Sequence, residues 1–144
     1  MRQTNGIHLP YSKITPTRGF TRESTTYLKK EVILWDLSGD RDYRGIWGNY
    51  ITKADIVILV IDASDLSEEN KSHVESIYER YGKMFGKNTI VIFNKNDRKD
   101  FSIVPFIDIL KKQDFFKDII AVEEVNVLEP GLVEKLFRLV KRKF

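Results

Sequence analysis

Three short apolar runs, each closing on a polar residue, most constrain what this chain can fold into: Val32 to Trp35 before Asp36, Ile56 to Ile61 before Asp62, and Thr89 to Phe93 before Asn94. Runs of this length fall far below the roughly 20 residues a membrane-spanning helix needs. They are also too continuous for strands with one wet face, so each reads as a strand buried in a parallel sheet. The segments between and after them carry helical spacing. Tyr43, Ile46, Trp47, Tyr50 and Ile51 share one face, and Val74, Ile77, Tyr78, Tyr81 and Phe85 share another over Glu69 to Phe85. Val104, Ile107 and Leu110 mark a third helix over Phe101 to Lys112, with Pro105 tolerated near its first turn. Ile119 to Val122 is a short edge-side strand, and Gly131 to Phe144 is a last helix burying Leu132, Val133, Leu136, Phe137 and Val140. This alternation predicts an α/β domain with a mostly parallel sheet flanked by helices. In such sheets ligands bind just beyond the carboxyl ends of the strands.

Composition narrows the class. With 144 residues and 42% hydrophobic content, the chain can bury a core and is most simply one domain. The 24 basic and 21 acidic residues nearly balance, which gives nucleic-acid binding no support. The absence of cysteine removes disulfides and thiolate metal sites and fits a reducing compartment. With no signal peptide and no glycine after Met1 for myristoylation, the expectation is a cytoplasmic protein. Lys141-Arg142-Lys143 suits the negative end of a helix dipole. Peripheral contact with an anionic membrane is the second reading of that basic end. Residues 1–14 mix Asn, Gly and Pro without a period and read as a loop or disordered arm.

Two strand ends carry chemistry. In Asp36-Leu37-Ser38-Gly39, the carboxylate can hold Mg²⁺ through water, and the bare glycine N–H can approach a terminal phosphate. In Asn94-Lys95-Asn96-Asp97, the Asp97 carboxylate can accept from guanine N1–H and the 2-amino group, where adenine offers neither donor. The tetrapeptide resembles the Asn-Lys-x-Asp guanine reader, and that resemblance implies that Asn94 braces the loop and bonds N7 while the Lys95 methylene stem lies on the base. The bland alternative is an ordinary polar turn, for which Asn and Asp are common choices.

Taken with its neighbours, the first stretch resembles the second switch region of the Arf and Arf-like small GTPases: Trp35-Asp36-x-x-Gly39, then Arg44, Trp47 and Tyr50. Thr15-Pro16-Thr17-Arg18-Gly19-Phe20 resembles the first switch of that family, fifteen residues ahead of Trp35, and the likeness continues through Val60-Ile61-Asp62-Ala63-Ser64-Asp65. The resemblance implies a P-loop GTPase-like domain over residues 15–144 and a hairpin of Ser24–Leu28 and Glu31–Leu37 turning at Lys29-Lys30. It also implies GTP or GDP with Mg²⁺ as ligands. Thr17 and Asp36 would serve the metal, Thr17 and Gly39 the terminal phosphate, and Asn94, Lys95 and Asp97 the base. Asn126 stands where the family places an alanine whose backbone N–H meets the base. Effector, exchange and activating proteins would engage the switch regions.

Two departures qualify the likeness. The 144 residues contain no Gly-x-x-x-x-Gly-Lys-Ser/Thr, the loop that cradles phosphates in relatives. The expectation is an incomplete domain lacking the first strand, that loop and most of the first helix. Its source is either a lost upstream part or a degenerate relative that fills the gap with another segment or partner. Asp40 occupies the position of the water-orienting glutamine and cannot donate a hydrogen bond to a γ-phosphate, so hydrolysis should be slow or absent without a partner. The reading is a guanine-nucleotide switch in vesicle or ciliary trafficking. Its rival is a pseudo-GTPase that keeps Trp35, Trp47 and Tyr50 as a surface for a protein partner.

Overall fold

The computed structural model describes residues 15–85, 88–112, 121–126 and 131–141. The expected amino-terminal arm and the Ile119-Ile120 start of the edge strand lie outside these residues, as does the Arg142-Lys143 portion of the basic end. The chain divides into two compact units, Met1–Tyr50 and Ile51–Phe144.

In the first unit, β1 (Phe20–Tyr27) and β2 (Lys30–Leu37) form an antiparallel hairpin with Phe20 opposite Leu37 and Tyr27 opposite Lys30. The turn falls one residue earlier than Lys29-Lys30. Leu28 and Lys29 take φ of 48° and 66°, the left-handed pair that a two-residue hairpin turn demands to match strand twist. The sequence also leads one to expect β2 buried within a parallel sheet, and here it is neither. Among the described residues β2 pairs with β1 alone, and Ile33, Leu34 and Trp35 are exposed. A two-stranded ribbon has two open faces, and the described residues of its own unit supply little to cover them. What it supplies is an aromatic cluster of Phe20, Trp35 and Tyr50, with ring centroids 5.0–5.7 Å apart in tilted contacts. Arg22, opposite Trp35 in the register, lies 5.7 Å over its ring.

The helix expected over Tyr43 to Ile51 is split. Residues Arg41–Ile46 wind as a 3-10 helix, and α1 (Trp47–Ile51) follows. The tighter winding begins at Asp40, whose carboxylate accepts the Asp42 N–H at 3.1 Å.

In the second unit, β3 (Val57–Asp62), β4 (Thr89–Asn94) and β5 (Ala121–Val125) form a parallel sheet in the order β3-β4-β5. Parallel neighbours need crossover connections, and α2 (Glu68–Phe85) and α3 (Val104–Lys111) lie in them. β4 is the central strand, and Thr89 to Phe93 are fully buried, as the continuous apolar run requires. α2 packs Val74, Tyr78, Tyr81 and Phe85 inward as its spacing predicts. α3 presents the expected face only in part: Leu110 is buried and Ile107 half-buried as the spacing predicts, but Val104 is 64% exposed, and Phe106 and Ile109 are buried as well. The helix starts only at Val104, with Pro105 in its first turn. Its inward stripe therefore runs from Phe106, which stacks on Phe93 at 6.0 Å. α4 (Leu132–Lys141) sets Leu132, Leu136, Leu139 and Val140 against Ile90, Ile92 and Val125. Among the described residues, no helix is long and apolar enough to cross a membrane.

Candidate functional site

The predicted site residues fall into two groups, one in each unit. In the first unit the chain turns at Gly19, whose φ of +71° is a conformation other residues rarely adopt. The Gly19 carbonyl accepts the Ser38 N–H at 2.9 Å and so ties the segment before β1 to the end of β2. This closure brings together two residues nineteen apart in sequence. Thr17 Oγ1 donates to Asp36 Oδ2 at 2.5 Å. Both were singled out in the sequence, and they are in direct contact.

Beyond β2 the backbone of Ser38-Gly39-Asp40 is held by side chains that follow it. Trp47 Nε1 donates to the Ser38 carbonyl and Arg44 Nε to the Gly39 carbonyl, each at 3.0 Å, and the Asp40 N–H meets Ser38 Oγ at 3.2 Å. Arg44 also lies 5.9 Å over the Trp47 ring. The Trp-Asp-x-x-Gly…Arg…Trp spacing thus builds a fixed loop whose carbonyls are taken up from behind. Gly39 is exposed, and an added Cβ there would meet nothing within 4 Å, so internal packing does not require a glycine. Asp40 serves here as the cap of the 3-10 helix, a role its Asp-x-Asp context could have signalled.

The second group gathers at the carboxyl ends of β4 and β5. Asn94 closes β4 opposite Val125, which puts Asn126 beside the loop that follows Asn94. Asn94 Oδ1 accepts the Lys95 N–H at 2.8 Å. Lys95 has φ of 69°, a strained conformation for a residue with a Cβ, and the Arg98 N–H closes the turn on the Lys95 carbonyl at 3.0 Å. Asn96 ties the loop to β5, its N–H to the Val125 carbonyl at 3.2 Å and Nδ2 to the Glu124 carbonyl at 3.4 Å. Asp97 is left exposed at the tip, and no described residue donates a hydrogen bond to its carboxylate.

Sequence reasoning passed over one member of this group. Asp62, at the carboxyl end of β3 and in register with Asn94, receives the Lys95 ammonium on Oδ2 at 2.5 Å. Its Oδ1 accepts from the Ser64 N–H at 3.0 Å and Ser64 Oγ at 2.7 Å. Partial burial raises the Asp62 pKa, but the hydrogen bonds from Lys95 and Ser64 and the Lys95 charge outweigh it and hold the carboxyl below the ordinary aspartate value. The signal was available: a carboxylate ends the strand adjacent to the one carrying Asn94-Lys95. Asn70 completes the loop after β3 by donating Nδ2 to the carbonyls of Asp62 and Asp65 at 3.0 and 2.7 Å.

A parallel sheet with polar loops converging beyond its strand ends, helices in its crossovers and an antiparallel hairpin in the preceding unit is the architecture of a P-loop GTPase-like domain. Among solved structures it resembles the Arl6 BBS3 small GTPase from Trypanosoma brucei with the bound nucleotide analogue GppNp. That likeness has a TM-score of 0.68 at 24% identity and covers 92% of this chain and 84% of that one. The sequence model of the ADP-ribosylation factor family matches residues 8–142, and the chain belongs to that family. Curated relatives include ADP-ribosylation factor-like protein 2 of Dictyostelium discoideum, 34% identical over 99 residues, which are 67% of this chain and 52% of the relative. ADP-ribosylation factor-like protein 3 of Chlamydomonas reinhardtii is 37% identical over 87 residues, 58% of this chain and 48% of the relative. The matches span about half the length of these curated relatives.

Proposed function

We propose that the chain is an Arf-like guanine-nucleotide-binding protein that acts as a switch in vesicle or ciliary trafficking, with weak intrinsic hydrolysis. The observation that carries this reading is the loop after β4. Asn94 and Asn96 anchor it to β4 and β5, and Asp97 projects an unengaged carboxylate, the acceptor pair that guanine N1–H and its 2-amino group need. Lys95 would lie along the base, and the Asn126 backbone N–H would approach it from the end of β5.

Thr17 and Asp36 fit a hard divalent cation. They offer a hydroxyl and a carboxylate oxygen already 2.5 Å apart, and Mg²⁺ takes such oxygens together with water and phosphate oxygens. No group of three or more His, Cys, Asp or Glu converges among the described residues, so phosphate and water would complete the coordination. A bound Mg²⁺ would neutralise phosphate charge. Gly39, with open space where a Cβ would stand, would present its N–H to the terminal phosphate. Asp40, engaged with the Asp42 N–H, offers no donor to orient water, which supports slow turnover. The Phe20–Trp35–Tyr50 cluster, with Phe20 and Trp35 exposed, is where effector, exchange and activating proteins would bind.

The test is a titration of the 144-residue chain with fluorescent GDP and GTP in Mg²⁺, repeated with Asp97→Ala. Saturable binding that is displaced by GDP, not by ADP, and that disappears in the variant is the expected result. A folded chain that binds neither nucleotide overturns the switch and leaves a protein-interaction module, the pseudo-GTPase.

A further inference from the structure

Lys95 is held at both ends. Its backbone is locked in the left-handed region by Asn94 Oδ1 on its N–H and the Arg98 N–H on its carbonyl. Its ammonium rests on Asp62 Oδ2 at 2.5 Å. The carboxylate receiving it is itself immobilised, with both donors of Ser64 on Oδ1. Asp62 and Asn94 are register partners at the ends of neighbouring parallel strands, so the four-carbon stem is stretched along the carboxyl edge of the sheet from β4 towards β3. A lysine this exposed, 45% for its side chain, would otherwise sample many rotamers.

We propose that Asp62 is a positioning residue for base recognition: it pins the Lys95 head so that the stem is pre-arranged as the platform on which the purine ring lies. The proposal rests on the guanine-reader assignment of Asn94, Lys95 and Asp97 above. It assigns Asp62 no contact with the nucleotide. Its action passes through Lys95, by removing the rotamer ordering that base binding would otherwise require. Immobilising one such side chain beforehand corresponds to about three- to tenfold in affinity.

A purely structural ion pair makes a different prediction, since it would change folding stability without changing the affinity of the folded chain. The experiment is a double-substitution cycle in the full 144-residue chain. GDP and IDP dissociation constants are measured for the natural chain, Asp62→Asn, Lys95→Met and the pair, with thermal unfolding alongside. Asp62→Asn should weaken GDP about three- to tenfold when residue 95 is lysine and leave it unchanged when residue 95 is methionine. The ratio of GDP to IDP affinity should stay constant, because the 2-amino group is read by Asp97 and not by the platform. Equal GDP affinity in the natural chain and a folded Asp62→Asn overturns the proposal, as does the same loss in both residue-95 backgrounds. Where Asp62→Asn costs too much stability, Ser64→Ala removes one donor from the same carboxylate. It should give a smaller loss that again depends on Lys95, and no loss overturns the inference. Failure of the natural chain to bind GDP at all is a separate result that removes the guanine-reader assignment itself and, with it, this role for Asp62.

Discussion

Asp40 stands where the family likeness leads one to look for a glutamine, and its carboxylate is committed to the Asp42 N–H at the start of a 3-10 helix. Asp40→Ala should therefore lower stability by roughly 1 kcal/mol, while Asp40→Asn, which can still accept that N–H, should cost less. Urea unfolding of the two variants checks this, and equal losses would deny the cap. Asp62 makes a prediction in pH. Its folded pKa lies below the ordinary aspartate value, so the stabilisation is complete above the unfolded pKa of about 4 and disappears as pH falls through the folded one. The stability difference between the natural chain and Asp62→Asn should be constant from pH 7 to 5 and shrink below pH 4, as read from urea midpoints. A difference that grows on acidification would contradict the paired carboxylate. Gly19 is required by its φ of +71° rather than by space, since a Cβ there meets nothing within 4 Å. Gly19→Ala should cost on the order of 1 kcal/mol and loosen the Ser38 N–H that bonds its carbonyl.

At the level of elements, the hairpin turn is where local chemistry and backbone conflict. Leu28 and Lys29 both sit at positive φ, positions that Asn-Gly fills without strain. Leu28→Asn with Lys29→Gly should raise the thermal midpoint of the chain or slow amide exchange in β1 and β2, and a drop in both would show that the turn is not as described. The same turn explains a misplacement: reading Lys29-Lys30 as the loop follows polarity, whereas Lys30 belongs to β2 because Tyr27 pairs with it. Much else was legible because burial and periodicity coincide. α2 shows its inner face through Val74, Tyr78, Tyr81 and Phe85, and β4 shows itself through five buried residues in a row. The sequence misled where apolar content and burial part company. β2 is as apolar as β4, but it pairs only with β1 among the described residues and stays exposed. In α3, Leu110 is buried as its spacing predicts, and Val104 is exposed because it is the first residue of the helix, which starts there and not at Phe101. In the site, the local motifs led to Thr17 and Asp36, which the fold brings into contact, and to Asn94, Lys95 and Asp97 in the loop that follows β4. The Lys95–Asp62 contact was missed although Asp62 visibly ends a strand, because pairing the two needs the β3–β4 register, a relation across 33 positions that no local spacing encodes.

On the scale of the whole molecule, the two units are stabilised by different means, and that difference has a measurable consequence. In the second unit, β4 is walled in, with Ile90, Val91, Ile92 and Phe93 all buried and Phe106 and Tyr78 fully enclosed. Opening that region exposes a core, so its amides should exchange only through global unfolding. The hairpin of the first unit has two strands and exposed apolar faces, and ribbons of that kind are marginal by themselves. Its amides should exchange through local opening at a far lower free energy. Phe106→Ala separates the two regimes, because removing a fully buried phenylalanine should cost about 3–5 kcal/mol. Hydrogen exchange followed by mass spectrometry should then show Ile90 to Phe93 exchanging faster in the variant by the full loss of stability, with Glu23 to Thr26 and Val32 to Leu34 unchanged. If the hairpin accelerates by the same factor as β4, the chain opens as one cooperative body, and the hairpin draws its stability from the core of the second unit rather than from its own pairing.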